Sequence, residues 1–477
     1  MAENQNQSPI ASLATETLCY IFELVNSETR WEIPLKPDNP RLFPFAQARV
    51  CRHWRDVLVT LPSIYWRKII VPLDAPVLPS SVAAYVDASG NEERMEVHLL
   101  SHSATSEAEE EQPVLAPQAE CQRVDTAMQH LAPHLARFNT LSIHTQYRSA
   151  ALVAMKHISA IGNARMLCTL DIVSRVADTT TPASFAPGLT FPWLESIAID
   201  TRSFIDWVHS KPKVGGGEDE EDEDDEFRDT PWLALKLTSY RPTSGLSGFT
   251  STVLIDTIDA FAPKGKYNLY LEISDVAFDD EDAARAASGL RPRRSTTQPK
   301  PKKLDQLDAV KLTSLDYPFL KAFFDRYEPE QDYLGDGGRY RVILSKCSIT
   351  GPLSIRVTPG LVLDRIETQE EILTALKAWS GAELEIIDCP AFDDAVINTL
   401  RTSKPVLGLC KELQYLFIVR CPDISAEALL KLFDERQMWL RKMHVYAAPR
   451  VLDECEEEGF RELVEDLSWT RTDFITS

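Results

Sequence analysis

Short apolar pieces of the form Leu-x-x-Leu-x-Leu recur along most of the chain, and this repetition constrains the fold more than any other feature. Three of them begin at Phe138, Leu167 and Leu194, so their starts are spaced by 29 and 27 residues. Alternating apolar residues predict strands with one buried face. A period of roughly 20 to 50 residues is typical of solenoids, in which each unit buries its apolar edge against its neighbours. Further pieces are Val97/Leu99, Leu235/Leu237, Leu269/Leu271, Val310/Leu312, Val342/Leu344, Leu384/Ile386, Leu416/Ile418 and Met443/Val445.

Two of the late pieces carry a cysteine just after the strand, at Cys389 and Cys421, and a helical pattern follows each. They resemble the cysteine-containing leucine-rich repeat, in which Cys takes the turn position after the strand. Ser425 is a candidate N-cap of the second helix. The expected fold class is therefore α/β, with a small helical N-terminal domain followed by a leucine-rich-repeat-like solenoid of parallel strands. Some spacings reach 38 to 44 residues, so a chance series of buried strands in an ordinary α/β domain is the alternative.

The stretch from Leu13 to Trp66 has a different periodicity. Its apolar residues recur at helical spacing, which predicts helices over Thr15–Val25 and Phe45–Leu61, each with one apolar stripe. A unit of about fifty residues buries only a small fraction of its surface by itself. We therefore expect this segment to pack against something else.

The same stretch resembles the F-box motif, most specifically in the run Val50-Cys-Arg-His-Trp-Arg55. Two departures from the family pattern are Ala14, where a proline is usual, and the long insertion 26–43. The resemblance implies a module that docks the Skp-type adaptor of a cullin-based ubiquitin ligase. The residues that it assigns to adaptor binding are Leu13, Glu16, Leu18, Ile21, Phe22, Val50, Cys51, Trp54, Leu58, Leu61 and Trp66. The alternative is that these residues are only the core of a small helical domain.

Charge and cysteine usage exclude several function classes. The net charge of -22 argues against nucleic-acid and anionic-membrane partners, which need excess Lys and Arg. The nine cysteines contain no Cys-x-x-Cys pair, which favours reduced thiols over a disulfide framework or a zinc site. With no apolar run long enough to span a membrane, we expect the protein in the cytoplasm, the nucleus or both.

Catalytic motifs are missing from the sequence. It contains no glycine-rich phosphate loop, and the glycine spacing around Ser247 is not that of a nucleophile elbow. His130 and His134 are spaced as metal ligands can be, but Pro133 lies between them and a third ligand is missing. We therefore predict a chain that is not an enzyme and that needs no metal or other cofactor.

The predicted domains are a disordered N-terminus at 1–11, the F-box at 12–70, a linker with a first strand and an acidic loop at 71–120, and the solenoid at 121–470. Disordered inserts are expected at 211–229 and 279–303. The middle residue of a Leu-x-Leu strand points away from the core, so the solenoid should present a concave strand face to a protein substrate. Its predicted contact residues are Lys236, Tyr270, Lys311, Glu385, Tyr415, Phe417, Arg420 and His444.

The function expected from these features is that of a substrate-recognition subunit of an SCF-type, cullin-based ubiquitin ligase. A non-catalytic leucine-rich-repeat scaffold, acting outside ubiquitin ligation, is the alternative.

Overall fold

The chain is described here by a computed structural model, which divides into two compact units. The first contains Met1–Glu226 and Tyr240–Leu246, and the second contains Phe227–Ser239 and Ser247–Ser477. The structure describes residues 13–29, 47, 50–61, 63–91, 94–101, 115–162, 164–183, 186, 189–210, 213–214, 232–238, 250–261, 268–278, 307–327, 340–355, 358–402, 413–436, 440–448 and 450–471. The segments predicted as disordered at 1–11 and 279–303, and most of 211–229, lie outside these residues.

The first unit begins with two helices and a short 3-10 turn. Helix α1 is Thr15–Thr29, helix α2 is Arg52–Thr60, and the turn is Ser63–Trp66. The predicted helix Phe45–Leu61 is interrupted. Gln47 is helical, but Cys51 has extended backbone angles (φ -162°, ψ 170°), so helix α2 starts only at Arg52. Apolar periodicity locates a helix but does not fix where it begins, since the first four N–H groups need no partner within it.

A parallel sheet follows in the same unit. Its elements are β1 (Lys68–Pro72), α3 (Pro79–Ala88), β2 (Met95–Leu100), α4 (Pro117–Leu131), a 3-10 helix (Ala132–Arg137), β3 (Phe138–Tyr147), α5 (Arg148–Ser159), β4 (Thr169–Val176), β5 (Thr190–Phe191), β6 (Ser196–Asp200), α6 (Thr201–His209) and β7 (Lys213–Val214). The strand order is β1-β2-β3-β4-β6, while β5 pairs with β7. Every pairing described in this unit is parallel.

The second unit continues the same alternation of strands and helices. Its elements are β8 (Trp232–Thr238), α7 (Ser251–Phe261), β9 (Asn268–Ser274), β10 (Leu307–Thr313), α8 (Tyr317–Arg326), β11 (Arg341–Ser345), β12 (Gly360–Asp364), α9 (Gln369–Ala378), β13 (Glu383–Ile387), α10 (Asp394–Thr402), β14 (Tyr415–Val419), α11 (Ala426–Arg436), β15 (Leu440–Ala448), α12 (Glu454–Leu463) and β16 (Val464–Arg471). The strands lie side by side in chain order, from β8 to β16, and all are parallel.

The predicted apolar pieces supply the cores of both units. In the first unit Val97, Leu141, Leu170 and Ile197 lie next to one another across neighbouring strands, and all are buried. In the second unit one such row is Leu235, Leu271, Val310, Val342, Leu361, Leu384, Leu416 and Met443. The predicted α/β class with parallel strands is confirmed.

Side-chain caps mark several helix starts. Asp200, Asp316 and Thr368 each accept a hydrogen bond from the N–H three residues on, which satisfies a group that the helix cannot. Ser425 accepts one from the N–H of Ala428 at 3.1 Å, as predicted. Asp453 and Glu456 form a reciprocal capping box at the start of α12.

Each strand of the second unit from β9 to β14 ends in a left-handed corner. The corner residues all have φ between 49° and 57° although none is glycine; they are Asp275, Ser314, Lys346, Arg365, Asp388 and Arg420. Their N–H groups bond to the carbonyl oxygen of the next strand, for instance Lys346 N to Asp364 O at 2.9 Å and Arg365 N to Ile387 O at 2.9 Å. The sheet hydrogen bonding therefore continues through the bend.

Cys389 and Cys421 follow two of these corners, which confirms the turn position predicted for them. The Cys389 thiol lies 3.5 Å from Leu363 O and 3.3 Å from Ile387 O, so it donates to backbone carbonyls of two strands. Burial raises the pKa of Cys389 to about 11 and that of Cys421 to about 12. Both thiols are therefore neutral parts of the turn.

Several elements were missed or assigned differently from sequence. The segment Lys68–Pro72, at the boundary between the predicted F-box and linker, is strand β1, and helix α3 follows within the predicted linker. Helix α4 begins at Pro117, so the predicted linker with its acidic loop, 71–120, ends in a helix. Strand β7, Lys213–Val214, lies inside the insert 211–229 that was predicted to be disordered, and that prediction is wrong for these two residues. Strands β5, β12 and β16 had no prediction. The other domain boundaries stay predictions.

Candidate binding surfaces

The helical segment has its own core. The side chains of Leu18, Phe22, Leu58 and Trp66 are 0 to 2% exposed. Phe22 meets Trp54 edge to face at 5.2 Å between ring centroids, and the indole N–H of Trp66 donates to Leu58 O at 3.2 Å. These four predicted adaptor-binding residues are therefore inaccessible to a partner in this structure.

The remaining predicted adaptor residues surround that core. Leu13, Ile21, Trp54 and Leu61 are partly buried and pack against it. Cys51 is partly buried, and Glu16 is exposed in the first turn of α1. Val50 precedes α2 and is 51% exposed. It therefore does not lie on the buried stripe of that helix, although the sequence pattern had placed it there.

Helix α1 is apolar on a second face that periodicity did not single out. Tyr20 and Leu24, one turn apart, are 62% and 48% exposed. They lie about 200° around the helix from Leu18 and Phe22, at 3.6 residues per turn. A helix that is apolar on opposite sides commonly buries both, and exposed apolar groups in proximity mark interaction sites. We call Tyr20 and Leu24 the outer face of α1.

The strand face of the second unit is the other candidate surface. Lys236, Lys311, Glu385, Phe417 and His444 occupy one row of outward positions across the sheet. Tyr270 and Tyr415 lie in the adjacent row, and Arg420 is a corner residue. All of them are on the side that the sequence predicted, away from the buried rows.

Most charges on this face are already paired. Lys311 lies 2.8 Å from Glu272, whose hydrogen bond raises the pKa of the lysine. Arg341 donates to both Glu383 and Glu385, while burial raises the pKa of Glu385. Arg420 donates two hydrogen bonds to Asp388 and lowers the pKa of that carboxyl. A ligand would gain little electrostatic binding energy from charged groups that already neutralise one another.

Aromatic side chains gather at one end of this face. Phe417 and His444 meet edge to face with ring centroids 5.4 Å apart, and His444 and Tyr446 do so at 5.6 Å. The hydroxyl of Tyr446 lies 2.9 Å from Nδ1 of His444, and Tyr415 is a neighbour of Phe417 in the same strand. We call Tyr415, Phe417, His444 and Tyr446 the aromatic patch. Tyr446 was not predicted, although its position two residues after His444 in an alternating strand was the available signal.

The strand face of the first unit differs in exposure. Its outward residues Ile70, His98, Leu100 and Ser142 are all buried, at 7% exposure or less. A partner therefore has access to the strand face of the second unit but not to these residues.

Neither a cluster of metal ligands nor a membrane-spanning helix is found in the part of the chain that the structure describes. Within it no three His, Cys, Asp or Glu side chains converge as metal ligands would. His130 is in the last turn of α4, and His134 lies in the following 3-10 helix. No described helix is both long and apolar enough to cross a membrane.

Comparison with known proteins adds no further constraint. No protein-family model matches the chain, and no curated protein matches it significantly.

Proposed function

We propose that this chain is a non-catalytic substrate-recognition subunit of a cullin-based, SCF-type ubiquitin ligase. Its N-terminal helices would be an F-box that docks a Skp-type adaptor, and its strands would form a leucine-rich-repeat-like solenoid that holds a protein substrate. Such a subunit accelerates ubiquitin transfer by proximity, because it raises the effective concentration of target lysines near the charged enzyme.

The observation that carries this proposal is the outer face of α1. The helical segment fills its own core with Leu18, Phe22, Leu58 and Trp66 and still leaves Tyr20 and Leu24 exposed. Helix-in-groove recognition uses an apolar face of this kind, with anchors three or four residues apart. The sequence resemblance to the F-box supports a Skp-type adaptor as the partner.

Substitution of the outer face tests adaptor docking directly. We expect Tyr20→Ser with Leu24→Glu to reduce capture of a purified Skp-type adaptor at least tenfold, since a buried carboxylate has no partner in an apolar groove. Both side chains are largely exposed, so the far-UV circular dichroism and melting temperature should not change. The matched control is Val451→Glu, which adds the same charge at a residue that is 64% exposed in the second unit.

Two results would contradict the proposal. One is undiminished capture of the adaptor by the Tyr20→Ser, Leu24→Glu variant, and the other is failure of the wild-type chain to bind any Skp-type adaptor. Leu18→Ala is a poorer probe, because truncation of a fully buried leucine costs about 2 to 5 kcal/mol of folding free energy and would remove binding indirectly.

The aromatic patch supports a second candidate, a scaffold that binds a protein outside ubiquitin ligation. Tyr, Phe and His rings in proximity resemble the aromatic anchors that dominate protein interfaces, and they require no adaptor. Retained binding of a cellular protein through Phe417, together with no adaptor binding by the wild-type chain, would favour this candidate.

A further inference from the structure

Strand β16 ends the sheet of the second unit. It spans Val464–Arg471 and, among the described strands, it pairs only with β15. It has no proline, and its central residues Leu467, Ser468 and Trp469 are partly exposed. A strand of this length presents a row of backbone N–H and C=O groups along its outer edge, ready to pair with another strand.

The sequence of β16 is complementary to itself when two copies run antiparallel. With Ser468 opposite Ser468 of a second copy, Leu467 faces Trp469, Asp466 faces Thr470, and Glu465 faces Arg471. The residues of each pair differ by an even number of positions, so both lie on the same face of the joined sheet. Apolar, hydrogen-bonding and opposite-charge pairs of this kind stabilise antiparallel strands.

Other symmetric registers lose this complementarity. Centring the pairing on Asp466 places two carboxylates opposite each other, which is destabilising. Centring it on Leu467 leaves Glu465 facing Trp469, and centring it on Trp469 leaves Arg471 facing Leu467. Only the register centred on Ser468 gives Glu465 a cationic partner.

Helix α12, which precedes β16, is acidic. It carries five glutamates and one arginine, and Arg461 already pairs with Glu457 at 2.6 Å, with side chains 69% and 47% exposed. This negative charge opposes the approach of a second copy of the helix, so the association depends on the strand pairing.

We propose that two copies of this chain associate through antiparallel pairing of β16 about a two-fold axis at Ser468. The strand pairing joins the two sheets with both strand faces on the same side. Five strand intervals of about 4.8 Å then separate the two Phe417 residues, a distance of about 24 Å. If the proposed function holds, the dimer would offer a substrate two aromatic patches, and two linked contacts bind more tightly than one.

Site-directed cross-linking tests the register with the full chain and no adaptor. In a Cys455→Ser background, which removes the one thiol that is exposed among the described cysteines, Ser468→Cys should give a covalent dimer under mild oxidation. Directly opposed Cα atoms lie about 4.5 to 5.5 Å apart in antiparallel strands, within the range that a disulfide spans. Thr470→Cys is the matched control, because its two copies would be about 14 Å apart along the strands. Equal cross-linking of both variants, or none of Ser468→Cys, would overturn the proposal.

Charge exchange tests the pairing without cysteine chemistry. Glu465→Arg and Arg471→Glu should each be monomeric by analytical ultracentrifugation at tens of micromolar, where the wild type is dimeric. Mixing the two variants should restore a dimer, because each 465–471 contact then joins opposite charges. Glu367→Arg, an exposed control with the same charge change as Glu465→Arg, should remain dimeric. A monomeric wild type, dimeric single variants or a mixture that stays monomeric would refute the interface, whatever the adaptor does.

Discussion

Each left-handed corner places one residue in an unfavourable backbone conformation, and such a corner recurs at the end of successive strands. Lys346, Arg365 and Asp388 have φ near +50°, a conformation that costs an L-residue about 1 to 2 kcal/mol. The hydrogen bond from each corner N–H to the next strand holds the bend in place. None of these residues is glycine, so the left-handed conformation could not be predicted from residue type; only Cys389 and Cys421, just after two of the strands, indicated a turn.

Substitutions at Lys346 should reverse the usual preference of strand positions for valine over glycine. In a strand valine is favoured over glycine, but at this positive φ we expect Lys346→Val to be less stable than Lys346→Gly by about 1 to 2 kcal/mol. Urea denaturation of both variants measures the difference. Ile343, in the middle of the same strand, is the control position: there Ile343→Val should be more stable than Ile343→Gly. If the valine variant were the more stable one at both Lys346 and Ile343, the corner at Lys346 would not be strained.

The buried thiols should be unreactive in the folded chain. With a pKa raised to about 11, only about 0.1% of Cys389 is thiolate at pH 8. Cys455 is exposed, so iodoacetamide should label it within minutes while Cys389 and Cys421 stay unlabelled until the chain is denatured. Peptide mass spectrometry after native and denaturing labelling provides the measurement. Native labelling of Cys389 at the rate of Cys455 would show that the turn is open.

The raised thiol pKa values also have a consequence for stability. The folded state binds the thiol proton of Cys389 more tightly than the unfolded state does, so this proton stabilises the fold. The stabilisation is complete below the unfolded pKa of about 8.5 and is lost as pH rises through about 11.

Among the elements of the first unit, a single arginine joins two strand–helix turns. Arg148, at the start of α5, is fully buried and donates to Asp200 at 3.3 Å and to Ser203 at 3.2 Å at the start of α6. It also donates to Thr179 O and Thr181 O, at 3.1 and 2.7 Å. Burial raises the pKa of the neighbouring Asp206, even though the guanidinium opposes that shift.

Removal of this guanidinium should be among the most destabilising changes in the first unit. Arg148→Met leaves the Asp200 carboxylate buried without its charge partner, and breaking such a pair costs about 3 to 5 kcal/mol. Thermal unfolding measures the loss. In the double variant Arg148→Met, Asp200→Asn the unpaired charge is gone, so part of the stability should return. If Arg148→Met lowers the free energy of unfolding by less than about 1 kcal/mol, the Arg148–Asp200 pair is exposed to water and not desolvated.

At the scale of elements, the sequence predicts most of the strands but fewer of the boundaries. Alternating pieces such as Leu384/Ile386 identify strands because each strand buries only alternate residues. Strand β12 escaped detection because Leu361, Val362 and Leu363 are all buried, so alternation is lost. Helix α3 was not predicted because proline usually ends a helix, whereas proline is favoured in the first turn, where Pro79 lies.

For the molecule as a whole, two candidate surfaces lie in different units, the outer face of α1 in the first and the aromatic patch in the second. Sequence placed Tyr415, Phe417 and His444 on the outward strand face, because outward strand positions follow from alternation, but it missed Tyr446. Sequence did not identify the outer face of α1. When a helix is apolar on two sides, the helical spacing of its apolar residues reveals only the side that carries more of them. The proposed adaptor and substrate functions should therefore separate by mutation.

The separation can be measured in cells that express tagged variants. Tyr20→Ser with Leu24→Glu should lose the adaptor and keep its other bound proteins, which then accumulate because they are no longer ubiquitylated. Phe417→Ala with His444→Ala should keep the adaptor and lose those proteins, since removing aromatic anchors typically costs 2 kcal/mol or more, about thirtyfold in affinity. Val451→Ala, at an exposed residue outside the predicted contact set, is the control for the second variant. Loss of adaptor and substrate together from either double variant, with the fold intact, would mean that one surface serves both.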